Sequence, residues 1–347
     1  MRLVQRESSS TIRSIAVVLS AVLIAFALGS ALFLSLDKNP LEAYLAMARG
    51  GFGSGYGLSE TLVKTVPLGL CALGIALAGK MGLWNIGAEG QLTMGAIAAS
   101  WVVLFWKVPD AALLPLAAIA AATAGALWST IASTLRAWLS TSEILSTLML
   151  NYVAELFLQY LVYGPWKGPD RFPFTVYFPR TAWLSTLGTT RLHSGIVVVV
   201  ILAVVLHVLL KRTRLGFEIH LTGDSSSASD YAGVPSKRNI LLVLAMAGAL
   251  AGLAGLFEVT GLQHRLQPSV SPGFGYTAII VAWLARRHML GCLLVAFLFG
   301  GLAVAADELQ IVLHIPAGVV LVFQALLFVC VLGAEVFENY EIRWRNA

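Results

Sequence analysis

The chain has 347 residues, of which 58% are hydrophobic and 12% charged, with a formal net charge of +5 and a mean hydropathy of +0.82. Water-facing domains run at about 45–50% apolar and about 25% charged, so too little polar surface is present for one of this size. Disordered chains pair low hydrophobicity with high net charge, which excludes that class as well and leaves a multispanning membrane protein.

A hydrocarbon core about 30 Å thick takes about 20 apolar residues as a helix. The first run, 15–36, is longer than the roughly 7–15 residues of a secretory h-region and is read as an uncleaved first span. Further runs follow at 62–79, 91–106, 111–135, 144–161, 196–210, 239–257, 275–285, 290–306 and 318–332. The expectation is therefore an all-α polytopic bundle of about ten transmembrane segments in a single domain over 1–347. The short, glycine-interrupted runs, 275–285 above all, are candidates for broken or re-entrant pieces. Lys80, Arg136, Lys211, Arg212, Arg214, Lys237, Arg238, Arg286 and Arg287 fall on one side of such a bundle, and the positive-inside rule then gives N-in/C-in. The tails 1–14 and 336–347 are cytoplasmic on this reading, with the bundle over 15–335. The Pro- and aromatic-rich segment 164–194 forms an outer cap, and 211–238 forms a cytoplasmic loop.

Several patterns point nowhere. Gly74, Gly79 and Lys80 mimic a phosphate-binding loop, but Met81 stands where a magnesium-binding hydroxyl is needed and no strand precedes it. The glycine run over 50–57 lacks a flanking strand and helix and reads as a hinge or tight surface loop. No histidine pairing has metal-ligand spacing, and Cys71, Cys292 and Cys330 lie in apolar runs as core thiols. No metal site, catalytic residue or nucleic-acid surface is expected.

Three features carry polar chemistry. Between residues 82 and 95 an apolar helix stops and another begins near Asn85, a strong N-cap, with Glu89 in its first turn. This is either a well-capped turn or a broken helix whose N–H groups, with Asn85, Glu89 and Gln91, line a solute path. Thr147, Asn151, Glu155 and Gln159 recur every four residues, a polar face on an apolar span that either glues the bundle or lines the path. In the inner loop, Asp224 or Ser225 caps a short helix, Gly233 closes it in the left-handed conformation and Pro235 prevents continuation. Gly248, Gly252 and Gly255 form a small-residue face for close helix packing.

Trp84, Asn85, Ile86, Gly87, Ala88, Glu89, Gly90 and Gln91, then Met149, Leu150, Asn151 and Tyr152, then Leu215, Gly216 and Phe217, Tyr231, Ala232 and Gly233, and the glycines of 248–255 together resemble one family. It is the permease family of ATP-binding-cassette importers for sugars, nucleosides and branched-chain amino acids, over roughly 60–335, and the block around Asn85 is most similar to the nucleoside or simple-sugar branch. The resemblance implies a passive transmembrane subunit in the cytoplasmic membrane, working by alternating access. It implies as partners a second permease, commonly a non-identical paralogue, a cytoplasmic ATPase that holds ATP-Mg, and an extracytoplasmic solute-binding lipoprotein, besides membrane lipid; this chain itself needs no cofactor. The coupling loop to the ATPase would comprise Leu215, Gly216, Phe217, His220, Gly223, Asp224, Ala228, Tyr231, Ala232 and Gly233. The family pattern commonly has Arg-Ala-Val-Gly, an Asn and paired alanines here, where this chain has His220, Leu221, Thr222, Gly223, Ser225, Ala228 and Ser229. That departure fits either a divergent partner ATPase or reduced coupling. An ATPase-independent secondary transporter or channel, with Glu155 or Glu89 coupling an ion, is the alternative. An intramembrane enzyme is more remote, since no nucleophile–base pair stands out.

Overall fold

The computed structural model describes residues 2–5, 11–169 and 172–343. It is helical almost throughout, and each of the ten apolar runs lies on a helix. The helices are α1 (Thr11–Ser35), α2 (Pro40–Phe52), α3 (Gly55–Lys80), α4 (Ala88–Phe105), α5 (Asp110–Leu139), α6 (Glu143–Tyr163), α7 (Gly195–Arg212), α8 (Arg214–Asp224), α9 (Ser226–Tyr231), α10 (Ser236–Phe257), α11 (Phe274–Leu284), α12 (Met289–Val312) and α13 (Gly318–Asn339). Strand pairing among the described residues is limited to a short antiparallel ribbon that joins Arg2–Gln5 to Tyr340–Arg343 and a single bridge between Thr186 and His193. Among the described residues seven helices are long and apolar enough to cross a membrane, or eight if the bent pair α1–α2 is one span. The expected ten is not reached among these residues: α11 is too short for a span of its own, and α1 turns through 112° into α2.

The chain forms two compact units, Ser59–Gly300 and the remainder. In the smaller unit, Asn39 accepts the Leu41 N–H and Pro40 starts α2, a capped restart that explains the sharp turn. Phe26 of α1 meets Phe323 of α13 edge-on at 5.3 Å, and the Tyr44 hydroxyl donates to the Phe26 carbonyl. The glycine run over 50–57 is not a free surface loop. It is the junction of α2 and α3, and a Cβ on Gly51 would come within 2.8 Å of the Gly301 carbonyl oxygen of α12.

In the larger unit α3 and α4 are central, with 83% and 67% of their apolar windows buried, while α5, α6 and α7 are peripheral. Helix α10 is seated between α4 and α5 by glycine. A Cβ on Gly252 would fall on the Ala121 carbonyl oxygen, on Gly248 on that of Gly125, and on Gly255 on that of Leu92. Such close backbone approach is the role small residues play between helices in lipid, where packing replaces the hydrophobic effect. Past Phe257 the helix widens into a π-turn, Glu258–Gln263, and stops at His264 in the left-handed conformation.

The segment 164–194 is ordered against that π-turn. Phe178 N–H donates to the His264 carbonyl, Thr175 N–H to that of Leu266 and Leu184 N–H to that of Thr260. The Trp183 ring stacks on His264 with centroids 3.7 Å apart. Arg191 grips buried Glu60 of α3 with two hydrogen bonds of 2.9 and 2.6 Å. Asp170 and Arg171, in the same segment, lie outside the described residues.

Candidate functional site

The α3–α4 junction is built by a glycine. Gly82 takes φ +73°, and Leu83 N–H reaches back to the Ala78 carbonyl at 3.1 Å, closing α3 with a Schellman turn. The next helix starts at Ala88, not at Asn85, and its N-cap is Gly87. Asn85 does something else. Its Oδ1 accepts the Gly87 N–H at 3.1 Å in a local side-chain turn, and its amide pairs reciprocally with that of Gln91 at 3.0 and 2.9 Å. Both side chains are buried, so each satisfies the other where an unpaired amide is costly.

Asn151 of α6 clamps the same junction. Its Oδ1 accepts the Gly90 N–H at 2.9 Å, while its Nδ2 donates to the Ile86 carbonyl at 2.9 Å and to the Tyr276 hydroxyl at 3.3 Å. The close approach requires Gly90, where a Cβ would sit 2.8 Å from the Asn151 oxygen. Glu89 reaches sideways: its Oε2 accepts the Gly275 N–H of α11 at 2.7 Å, beside the Ser271 hydroxyl, which accepts the Gly273 and Phe274 N–H groups at 3.1 and 3.0 Å. A carboxylate at a helix N-terminus meets the positive end of the dipole, so Glu89 pins the short α11 to α4.

Glu89, Asn151, Glu155, Ser269, Ser271 and Tyr276 line a pocket of about 250 Å³. Glu155 is exposed at its edge and accepts from Gln159 at 3.4 Å. Of the sequence-derived path residues, the pocket holds Glu89, Asn151 and Glu155. Asn85 and Gln91 stand behind it as a support pair. Among the described residues no lysine, arginine or histidine lines the pocket. Ser271, Gly275 and Tyr276 escaped sequence reasoning, since only a fold brings residues 186 positions apart together; the short run 275–285 was the sole signal. Buried Glu258, which feels Lys64 and accepts from Gln263 at 3.4 Å, was also missed. A carboxylate at the end of an apolar run marks such a position. No group of three metal-ligating side chains converges among the described residues.

A second surface lies where α3 and α7 end. The loop 211–238 holds two helices, α8 and α9, where a single short one was expected. Thr213 caps α8 by accepting Gly216 N–H, and Ser225 caps α9 by accepting Ala228 N–H. Gly233 at φ +68° ends α9, and Pro235 precedes α10. Gly216 is buried against α7, where a Cβ would overlap the Leu210 carbonyl, and Gly223 sits equally close to that of Lys80. Leu215 is half-buried, and the His220 ring contacts the Gly216 carbonyl at 2.8 Å. Glu218 accepts from Asn239 at 2.9 Å and Arg214 at 2.8 Å. The Asn239 hydrogen bond, then that of Arg214, holds its carboxyl below the usual range.

Two of the positions that depart from the family pattern have a structural use. Thr222 and Ser229 hydroxyls lie 3.0 Å apart, and Ser229 and Ser236 hydroxyls 3.2 Å, a ladder that ties α8 and α9 to α10. Outward from this frame stand Asp224, Ala228, Ala232, Phe217 at 64% exposure and Tyr231 at 97%.

Comparison with known proteins gives the family. The family model described as branched-chain amino acid transport system / permease component matches residues 57–332. The chain is 36% identical to the glucose ABC transporter permease protein TsgB13 of Haloferax volcanii, over 92% of this chain and 88% of that one. It is 34% identical to the nucleoside ABC transporter permease protein NupB of Lactococcus lactis, over 85% and 84%. It is 33% identical to the guanosine ABC transporter permease protein NupP of Bacillus subtilis, over 94% of each. The ATPase-independent carrier and the intramembrane enzyme give way to this result. A multi-pass helical chain of the plasma membrane, with a polar pocket beside the turn that joins the spans α3 and α4, it belongs to the branched-chain amino acid transport system / permease component family of ATP-binding-cassette transporters.

Proposed function

We propose that this permease subunit passes an uncharged, hydroxyl-bearing solute, a nucleoside or simple sugar, into the cell through the pocket between α4, α6 and α11. The observation that carries the reading is the lining: two carboxylates, an amide, two serine hydroxyls and the Tyr276 hydroxyl, with no basic side chain among the described residues. Such a wall hydrogen-bonds a polyol and repels a phosphate or carboxylate. The relatives named for glucose, nucleosides and guanosine fit the same chemistry. Glu155 and Tyr276 are the solute contacts; Glu89 and Asn151 hold the elements that present them.

The energy enters elsewhere. A cytoplasmic ATPase with bound ATP-Mg docks on α8 and α9, with Phe217 and Tyr231 as its apolar anchors, and a non-identical paralogue completes the permease pair. An extracytoplasmic binding lipoprotein delivers the solute at the cap formed by 164–194. Closure of the ATPase pulls α8 and α9, which are bonded to the ends of α7 and α10, and the bundle alternates between outward and inward access.

Uptake of radiolabelled guanosine and glucose by the assembled transporter tests the reading. Glu155→Gln and Tyr276→Phe each lower uptake of the transported solute by about tenfold, the scale of about 1.4 kcal/mol from a lost hydrogen bond. Co-purification of the ATPase is unchanged. Wild-type uptake in both variants would sink the pocket as the path.

A further inference from the structure

Where α3 and α7 end and α12 begins, cationic and imidazole side chains from three helices gather beside an apolar surface. The rings of His207 on α7 and His288, which precedes α12, meet edge to face with centroids 5.1 Å apart. Lys211 follows His207 by one helical turn and shares its face. Lys80 ends α3, and Arg287 donates to the neighbouring Gly79 carbonyl at 2.8 Å, which brings His288 to the same place. Both lysines act electrostatically on His288. Asp224 is the carboxylate that acts on Lys80. Among the described residues no salt bridge neutralises Lys80, Lys211 or His288; the three bridges present join Arg136 to Glu143, Arg191 to Glu60 and Arg214 to Glu218.

The apolar surface continues from the cluster toward the middle of the bundle. A Cβ on Gly69 of α3 would lie 3.0 Å from Val199 of α7 and 3.7 Å from Leu293 of α12, so α3 is the floor between those two helices. Val200 and Val204 share the helical face of His207 and Lys211, and both are exposed. On α12, Leu290, Leu294 and Leu298 form a stripe at helical spacing with exposures of 40, 63 and 47%.

We propose that this cluster binds the headgroup phosphate of an anionic phospholipid in the adjoining leaflet, with its acyl chains along the exposed faces of α7 and α12. Basic pockets between helices at a membrane surface recognise such headgroups, and the first turn of α12 adds a favourable dipole. Burial, then His207, Lys211 and Lys80, push the His288 imidazole below its ordinary pKa. That crowding of like charge is relieved by a bound anion. A free anion satisfies the cations and leaves the valine and leucine stripes uncovered, whereas a lipid covers both.

The test is native mass spectrometry of the full chain with its co-purifying partners in mild detergent, after exposure to phosphatidylglycerol or phosphatidylcholine. The wild type retains phosphatidylglycerol in preference, and Lys211→Gln and Lys80→Gln each weaken that retention about fivefold, as about 1 kcal/mol per lysine implies. Lys237→Gln, a basic residue at the same end on α10, leaves retention unchanged. Equal retention of the two lipids overturns the proposal. So does equal loss in the Lys237 control, or a protein that takes inorganic phosphate as readily as the lipid.

Discussion

Residues of one chemical kind serve two purposes around the α3–α4 junction, and burial separates them. Asn85 and Gln91 direct their hydrogen bonds at each other, Asn151 divides its own between α4 and α11, and Glu155 keeps an exposed carboxylate for the pocket. Replacing Asn85 with Leu strands the Gln91 amide and the Gly87 N–H and costs about 1–3 kcal/mol, whereas Asn85→Leu with Gln91→Leu recovers the part due to the stranded amide. Thermal unfolding of the single and double variants in detergent checks this; additive losses would mean that the two amides work separately. His193 gives the clearest pH signature. Its ring is buried against Phe257, its Nδ1 accepts the Gly195 N–H, and burial followed by the His264 charge pushes its pKa from 6.5 to about 4. A base whose pKa is depressed by folding holds fewer protons than in the unfolded chain between those two values. Its contribution is therefore whole above pH 6.5 and is lost as pH falls toward about 4. The loss amounts to about 3 kcal/mol, because each tenfold change in proton affinity is worth about 1.4 kcal/mol. The unfolding midpoint of the wild type should fall across that window, and the slope should flatten in His193→Gln.

At the scale of elements, glycine decides which helices touch. Helix α10 meets α4 and α5 through Gly248, Gly252 and Gly255, so Gly252→Ala forces a methyl onto the Ala121 carbonyl. Overpacking of this kind costs about 1–3 kcal/mol. Gly55 at the start of α3 has open space around its Cβ direction, and Gly55→Ala there is neutral or stabilising by about 0.4–1 kcal/mol. Unfolding midpoints measured side by side separate the two, and a destabilised Gly55→Ala with an unaffected Gly252→Ala would refute the packing account. Local spacing reveals such a stripe, just as apolar run length reveals each helix and Ser225, Gly233 and Pro235 delimit α9. It does not reveal α8, whose inward residues Gly216, Glu218 and Ile219 have no apolar period. Nor does it reveal the shift of α4 to Ala88, because Asn85 satisfies a side-chain turn as readily as a cap. The pocket was half legible for a different reason. Glu89 and the stripe on α6 are local patterns, but Ser271 and Tyr276 join them only through tertiary packing.

At the scale of the molecule, the pocket, the π-turn, the segment 164–194 and the α8–α9 surface all belong to the unit Ser59–Gly300. Within it they occupy two ends: Arg191 ties 164–194 to the start of α3 at Glu60, while Gly223 and Arg287 pack at the end of α3 beside Lys80 and Gly79. Lys80 ends α3, Lys211 and Arg212 end α7, Arg214 begins α8 and Lys237 and Arg238 begin α10, and the positive-inside rule predicts that this end is cytoplasmic, because translocation of basic residues is disfavoured. An ATPase reaches α8 and α9 only from that side, so orientation and coupling stand or fall together. Thr189 in the segment 164–194 and Tyr231 on α9 are both exposed, while Cys71 and Cys292 are buried and only Cys330 needs replacement by Ser to silence the background. A membrane-impermeant maleimide applied to intact cells should label Thr189→Cys at once. Tyr231→Cys should react only after permeabilisation, and more strongly in permeabilised cells that lack the ATPase proposed to dock on α8 and α9. Labelling of Tyr231→Cys in intact cells would invert the bundle and remove α8 and α9 from the reach of any cytoplasmic motor.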